Sequence, residues 1–191
     1  MLSNLKYEGG GDNTHGDAKA LPPFTTSGYF GGSQAAAYTV MGIANPGGSD
    51  DYTNTTADGG FYGYLYNWCA AMGGQPNACN NTSGIGTTFT DASICPAGWR
   101  LPTSRAGGEL KTLNDITNDG AEYTSEGLRT NFLAVYSGDY GNNLGFWGSR
   151  ANIWSSMVIA ASRADAMYFD SFISNTTLSN KYYGFAVRCV R

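Results

Sequence analysis

Along most of the chain apolar residues come in short bursts separated by glycine and small polar residues. Long helical periods are rare. Tyr38-Thr39-Val40-Met41 and Phe61-Tyr62-Gly63-Tyr64-Leu65-Tyr66 read as β-like pieces, and residues 45–60 between them carry the Pro, Gly, Asn and Asp of a loop. Two segments have helical spacing. Thr103 is placed to cap a helix over 104–116, with Leu110, Leu113 and Ile116 on one side, although Gly107 and Gly108 weaken its first turns. Ser125 opens a second helix, which carries Leu128, Phe132, Val135 and Tyr136 on one face and stops at Gly138. Beyond it, Asn152-Ile153-Trp154, Met167-Tyr168-Phe169 and residues 184–190 read as strands. In the last, Phe185, Val187 and Cys189 alternate with Ala186, Arg188 and Val190, the period of a strand with one strongly buried face. Residues 1–20 show no such period and read as a flexible arm, leaving 21–191 as one α+β domain of two helices, a small, mostly antiparallel sheet and long irregular loops.

Composition sharpens this picture. Charged residues are 14% of the 191, against roughly 25% in an average soluble domain. Glycine supplies 27 residues, and 13 Tyr and 9 Phe accompany many Asn, Ser and Thr. That mixture suits turns and polar-aromatic surface, the materials of a binding face. The net charge is −4 and the 11 Lys and Arg are scattered, which argues against a nucleic-acid partner. No apolar run nears the roughly 18 residues of a membrane span, so no membrane insertion is expected, and residues 1–20 have no leader-like apolar core.

The four cysteines (Cys69, Cys79, Cys95 and Cys189) lack metal-ligand spacing, and His15 is the only histidine. An even count at wide spacing reads as two disulfides in an oxidising compartment. Of the three pairings, Cys69–Cys79 with Cys95–Cys189 is favoured because the first closes a short Gly/Asn/Pro loop; four reduced buried thiols are the competing reading.

The residue inventory gives catalysis little to work with. His15 lies in the expected arm with no nucleophile constellation beside it, and Gly9-Gly10-Gly11 lacks the Lys-Ser/Thr ending of a phosphate loop. Asp50, Asp51 and Asp58 have calcium-ligand chemistry, but a solvated acidic loop is the simpler reading. Gln75-Pro76-Asn77 has the look of a sugar-reading tripeptide, yet it precedes the expected helices and has no Trp-Asn-Asp partner. Neither a cofactor nor a metal is expected. Trp99 and Trp154 read as core, whereas Trp147, in a Gly-rich run, is open to either role.

Four blocks carry a resemblance: Tyr64-Leu65-Tyr66-Asn67-Trp68, Cys95-Pro96-Ala97-Gly98-Trp99-Arg100-Leu101-Pro102-Thr103, Ile153-Trp154-Ser155-Ser156 and Gly184-Phe185-Ala186-Val187-Arg188-Cys189-Val190. In this order they resemble the Fibrobacter succinogenes major paralogous domain, a relative of formylglycine-generating-enzyme-like domains. The resemblance spans about two-thirds of the chain and implies a C-type-lectin-like fold. Cys69 with Cys79, and the missing acidic-aromatic helix start after Thr103, depart from the usual pattern.

The same blocks also resemble variable proteins of diversity-generating retroelements, where adenine-directed mutagenesis rewrites asparagine codons near the end of a C-type-lectin-fold protein. A rewritten AAC codon never gives Lys, Glu, Gln, Met or Trp, and residues 151–180 contain no Lys, Glu or Gln. Trp154, Met157 and Met167 must then be fixed positions.

The resemblance therefore implies a non-enzymatic protein, on a cell or virion surface or otherwise extracellular, with a variable region at about 152–183. Its partner would be a protein or cell-surface ligand. The expected contact residues are Val158, Ser162, Arg163, Asp165, Tyr168, Asp170, Phe172, Asn175, Asn180 and Tyr182, forming one contiguous patch. Two alternatives stand beside this: a structural or adhesive module whose C-terminal stretch is only core and loops, and a formylglycine-generating type of enzyme.

Overall fold

The computed structural model describes residues 42–44, 64–73, 93–95, 98–105, 107–117, 136–140, 144–146, 149–160, 162–170 and 174–191. The expected arm at 1–20, the helix from Ser125, Cys79, Trp147, Phe172, the acidic loop and Gln75-Pro76-Asn77 lie outside the described residues. In chain order the elements are β1 (Gly42–Ala44), β2 (Tyr64–Tyr66), α1 (Trp68–Ala71), α2 (Glu109–Thr117), β3 (Asp139–Tyr140), β4 (Leu144–Gly145), β5 (Arg150–Ala160), β6 (Arg163–Asp170), β7 (Ser174–Asn180) and β8 (Phe185–Ala186). The architecture is α+β, with a six-stranded sheet in the order β1-β2-β8-β5-β6-β7 and a β3–β4 pair. β5, β6 and β7 form an antiparallel meander, whereas β8 runs parallel to β5 and antiparallel to β2.

Alternation along β5 and β6 sorts their side chains onto two faces. Trp154, Ala164 and Ala166 join Tyr66, Trp68, Leu101, Phe185 and Val187 in one core cluster. Ala151, Ile153, Met167 and Phe169 pack on the other face against Leu110 of α2 and Tyr136. Two indoles bind the first cluster: Trp154 Nε1 donates to Tyr66 O (2.7 Å), and Trp68 Nε1 donates to Ser155 O (3.0 Å). α1 was not anticipated from the sequence; Asn67 caps it, its Oδ1 accepting from Ala70 N at 2.9 Å, and all four of its residues are buried.

The strand expected at 184–190 is shorter and more enclosed. Phe185, Val187 and Cys189 are buried as expected, but Ala186 and Arg188 are buried too; Ala186 sits in β8, an interior strand between β2 and β5, and Arg188 lies just past its end. Past β8 the chain pairs again at Val190, which exchanges two backbone hydrogen bonds of 2.9 Å with Arg100. Cys95 and Cys189 form a disulfide beside this bridge. Cys69 is also disulfide-bonded; Cys79, its expected partner, lies outside the described residues.

Helix α2 begins five residues later than expected. Arg105 (φ 66°) and Gly107 (φ 77°) turn the chain left-handed, and a Cβ on Gly108 would sit 2.0 Å from Ser104 O. Thr103 still caps the helix across this turn. Its Oγ1 accepts from Glu109 N at 3.1 Å while the Glu109 carboxylate accepts from Thr103 N at 3.0 Å. Arg100 grips the same carboxylate with both guanidinium nitrogens and holds it below its ordinary pKa. Leu110 is buried and Leu113 half-buried, but Ile116 is 75% exposed. At about 100° per residue it stands about 120° round the helix from Leu110.

Candidate functional site

The expected contact residues divide three ways. Val158 and Asp165, expected at the surface, are buried. Val158 pairs across the sheet with Ala164, whose small side chain leaves it room in the core. Asp165 faces the lead-in to α2, where Ser104 Oγ donates to its carboxylate and Arg105 Nε lies 3.2 Å from it. Ser155 Oγ donates to its backbone oxygen at 2.9 Å. Burial pushes the Asp165 carboxyl above its ordinary pKa, and Ser104 and Arg105 offset part of that rise.

The more open members do not form the single patch expected. Ser162, Arg163, Asn180 and Tyr182 gather at the β5–β6 turn, where Arg163 pairs with Asn180 and Asn180 Nδ2 donates to Tyr182 Oη at 3.1 Å. Tyr168 and Asp170 lie at the other end of β6, roughly 20 Å away at the rise of a strand, with the Tyr168 hydroxyl donating to Asp170. Strand alternation also puts Arg163 and Tyr168 on opposite faces. Asn175 pairs with Tyr168 through the backbone.

Only one of these ten residues, Tyr168, lines the cleft that the structure describes. The cleft has a volume of about 430 Å³ and is lined by Asp139, Phe146, Arg150, Asn152, Tyr168, Thr177, Ser179, Tyr183 and Phe185. Arg150, Asn152, Tyr168, Thr177 and Ser179 share the sheet face that carries Trp154. The β3–β4 pair brings in Asp139 and Phe146. It is anchored by the Gly138–Ala151 bridge and by Gly138 N donating to Arg150 O at 2.8 Å.

Polar and aromatic groups interlock here. The Arg150 guanidinium lies over the Phe146 ring, 5.6 Å from the centroid of the Tyr168 ring and 3.9 Å from the Asp139 carboxylate. Asn152 Nδ2 donates to that carboxylate at 3.0 Å. Burial pushes the Asp139 carboxyl up, with Arg150 and Asn152 opposing the rise. Burial and Asp170 also raise the Tyr168 hydroxyl. Phe146 is 56% exposed and has φ 57°, with its carbonyl accepting from Ser149 N and Arg150 N.

The sequence reading missed Asp139, Phe146, Arg150, Asn152, Thr177, Ser179 and Tyr183. A signal existed for two of them. Arg150-Ala151-Asn152-Ile153-Trp154 alternates polar and apolar, which sets Arg150 and Asn152 on one face. Asp139 and Phe146 arrive from Gly- and Asn-rich text with no period to read.

Among the described residues no helix is long and apolar enough to cross a membrane, and no group of three His, Cys, Asp or Glu side chains is placed to hold a metal ion. No protein-family model, curated protein or solved structure matches the chain.

Proposed function

We propose that this chain is a ligand-recognition protein on a C-type-lectin-like scaffold, with a C-terminal region rewritten by a retroelement. The observation that carries the reading is the cleft. A framework of buried tryptophans and paired strands holds Tyr168, Arg150 and Thr177 half-exposed along one sheet face, with Asn152 and Ser179 buried at the base of the cleft. A rigid support under adaptable polar and aromatic side chains is the arrangement a recognition surface needs. Of these, Asn152, Tyr168, Thr177 and Ser179 lie in the expected variable region and are of types reachable from a rewritten AAC codon; of the three residues there named as fixed, Trp154 and Met167 are buried and Met157 is half-buried. The Cys95–Cys189 disulfide favours an oxidising compartment and hence a surface or extracellular setting. The role proposed is binding rather than catalysis.

A second reading has an observation in its favour. The burial of Val158 and Asp165, and the separation of the more open positions to the two ends of β6, suit a structural or adhesive module.

Saturable binding of the purified chain to a panel of intact cells, compared with Tyr168→Ala, tests the two against each other. Binding that the substitution weakens supports recognition through the cleft. Binding that ignores it, or no saturable binding to any cell, returns the chain to the module reading. Diversification is tested separately: the coding locus should hold a reverse transcriptase gene and a near-copy of the C-terminal codons, and their absence removes that part of the proposal.

A further inference from the structure

We infer that the cleft receives one ring of a neutral saccharide, held without a metal ion; this rests on the cleft being the ligand site proposed above. Charge decides the first point. Asp139 lies 3.9 Å from Arg150, so one carboxylate and one guanidinium already balance each other at the cleft. An anionic ligand would meet the Asp139 carboxylate. A cationic ligand would meet Arg150, which already occupies the ring face of Phe146. A neutral ligand escapes both penalties. Arg150 beside Asp139 also takes the electrostatic place that a divalent cation would need.

Hydrogen-bonding capacity decides the second point. Arg150 only donates, an ionised Asp139 only accepts, and Asn152, Thr177 and Ser179 do both. Each hydroxyl of a sugar is itself a donor and an acceptor, so neighbouring hydroxyls match that alternation. The planar groups of Arg150 and Asn152 can each address two of them.

Aromatic geometry supplies the third. Tyr168, Tyr183 and Phe146 present rings at a site otherwise built of polar groups, and the C–H face of a pyranose packs on such rings. Phe146 holds a left-handed backbone that non-glycine residues seldom adopt, with more than half its surface open at the rim. Strain and exposure together mark a residue kept for contact rather than for packing. At about 430 Å³ the cleft is within the range of small-ligand sites.

The test is calorimetric titration of the full chain with methyl glycosides of neutral hexoses, with and without EDTA, beside sialic acid and glucosamine as charged counterparts. The expected result is saturable binding of at least one neutral glycoside, unchanged by EDTA. Phe146→Ala and Arg150→Lys should weaken it about tenfold or more. Ile116→Ala, on α2, 75% exposed and outside the cleft lining, should leave it unchanged. Phe146 is largely exposed, so Phe146→Ala should keep the fold, with near-UV circular dichroism as the check. Binding of charged sugars only, loss of binding in EDTA, or no neutral glycoside bound overturns the inference. Cell binding that survives periodate oxidation of surface diols but falls in Tyr168→Ala also overturns it, while leaving the ligand site standing. Cell binding indifferent to Tyr168→Ala overturns both.

Discussion

Asp165 shows how far a single side chain can depart from its local sequence. It is 1% exposed and ties β6 to Ser104, Arg105 and Ser155. Truncating it removes the charged acceptor of Ser104 and Arg105 and leaves the Ser104 hydroxyl with Ser155 Oγ at 3.0 Å, so Asp165→Ala should cost about 1–3 kcal/mol in denaturant melts. Arg163→Ala, at an exposed position, should stay within about 0.5 kcal/mol. Alternation alone puts Asp165 on the Met167 face, but its partner Ser104 lies 61 residues away, beyond any local pattern. Trp154, Phe185 and Val187 were legible as core because large apolar residues in strand text have few other places to go. Lys181 offers a titration test. Its ammonium lies 4.3 Å over the Trp68 ring, and burial lowers its pKa from 10.5 to about 8. The fold therefore disfavours the protonated amine, so this group's contribution to stability is full above pH 10.5 and is lost as pH falls through about 8. Wild type minus Lys181→Met, measured by urea melts across pH 7–10.5, should rise with pH; a flat difference would refute the assignment.

At the level of elements, the lead-in to α2 separates two kinds of glycine. Gly107→Ala forces a side chain into φ 77° and should cost about 1 kcal/mol. Gly108→Ala meets Ser104 O at 2.0 Å, so the turn itself must move and drag Ser104 and Arg105 away from Asp165. Thermal melts should rank Gly108→Ala as the worse of the two, and the reverse order would contradict the geometry. Thr103 was readable as a residue that starts a helix, but its bond reaches Glu109, six positions on, rather than the helix expected directly after it. The left-handed turn was not readable, since a glycine pair announces freedom without saying how the chain uses it. β5 is similar: its alternation was visible, but its irregularities were hidden. Between Trp154–Ala166 and Val158–Ala164 it spends four residues against two of β6, and no composition rule marks that shift.

At the scale of the whole molecule, the blocks around Cys95 and Cys189 act as one clasp, joined by the disulfide and by the Arg100–Val190 bridge. Ser156 N extends it by donating to Pro102 O at 2.9 Å. The disulfide spans 94 positions, so replacing both cysteines by serine should cost up to about 4.7 kcal/mol in denaturant melts. A loss near zero would mean the clasp holds without its covalent link. The Cys95–Cys189 pairing was legible because the expectation of a short loop from Cys69 to Cys79 left these two for each other. The cleft was not, because its walls meet only when the β3–β4 pair lies against β5. The position of β8 also bears on how the molecule comes into being. It comes last in chain order among the described strands, yet it belongs between β2 and β5. Until residues 185–186 emerge from the ribosome or a translocation channel, the β1–β2 pair and the β5–β7 meander have no strand between them, and both facing edges stay open. The sheet must therefore close only after residues 185–186 have been made, and the waiting halves are a natural client for a holding chaperone.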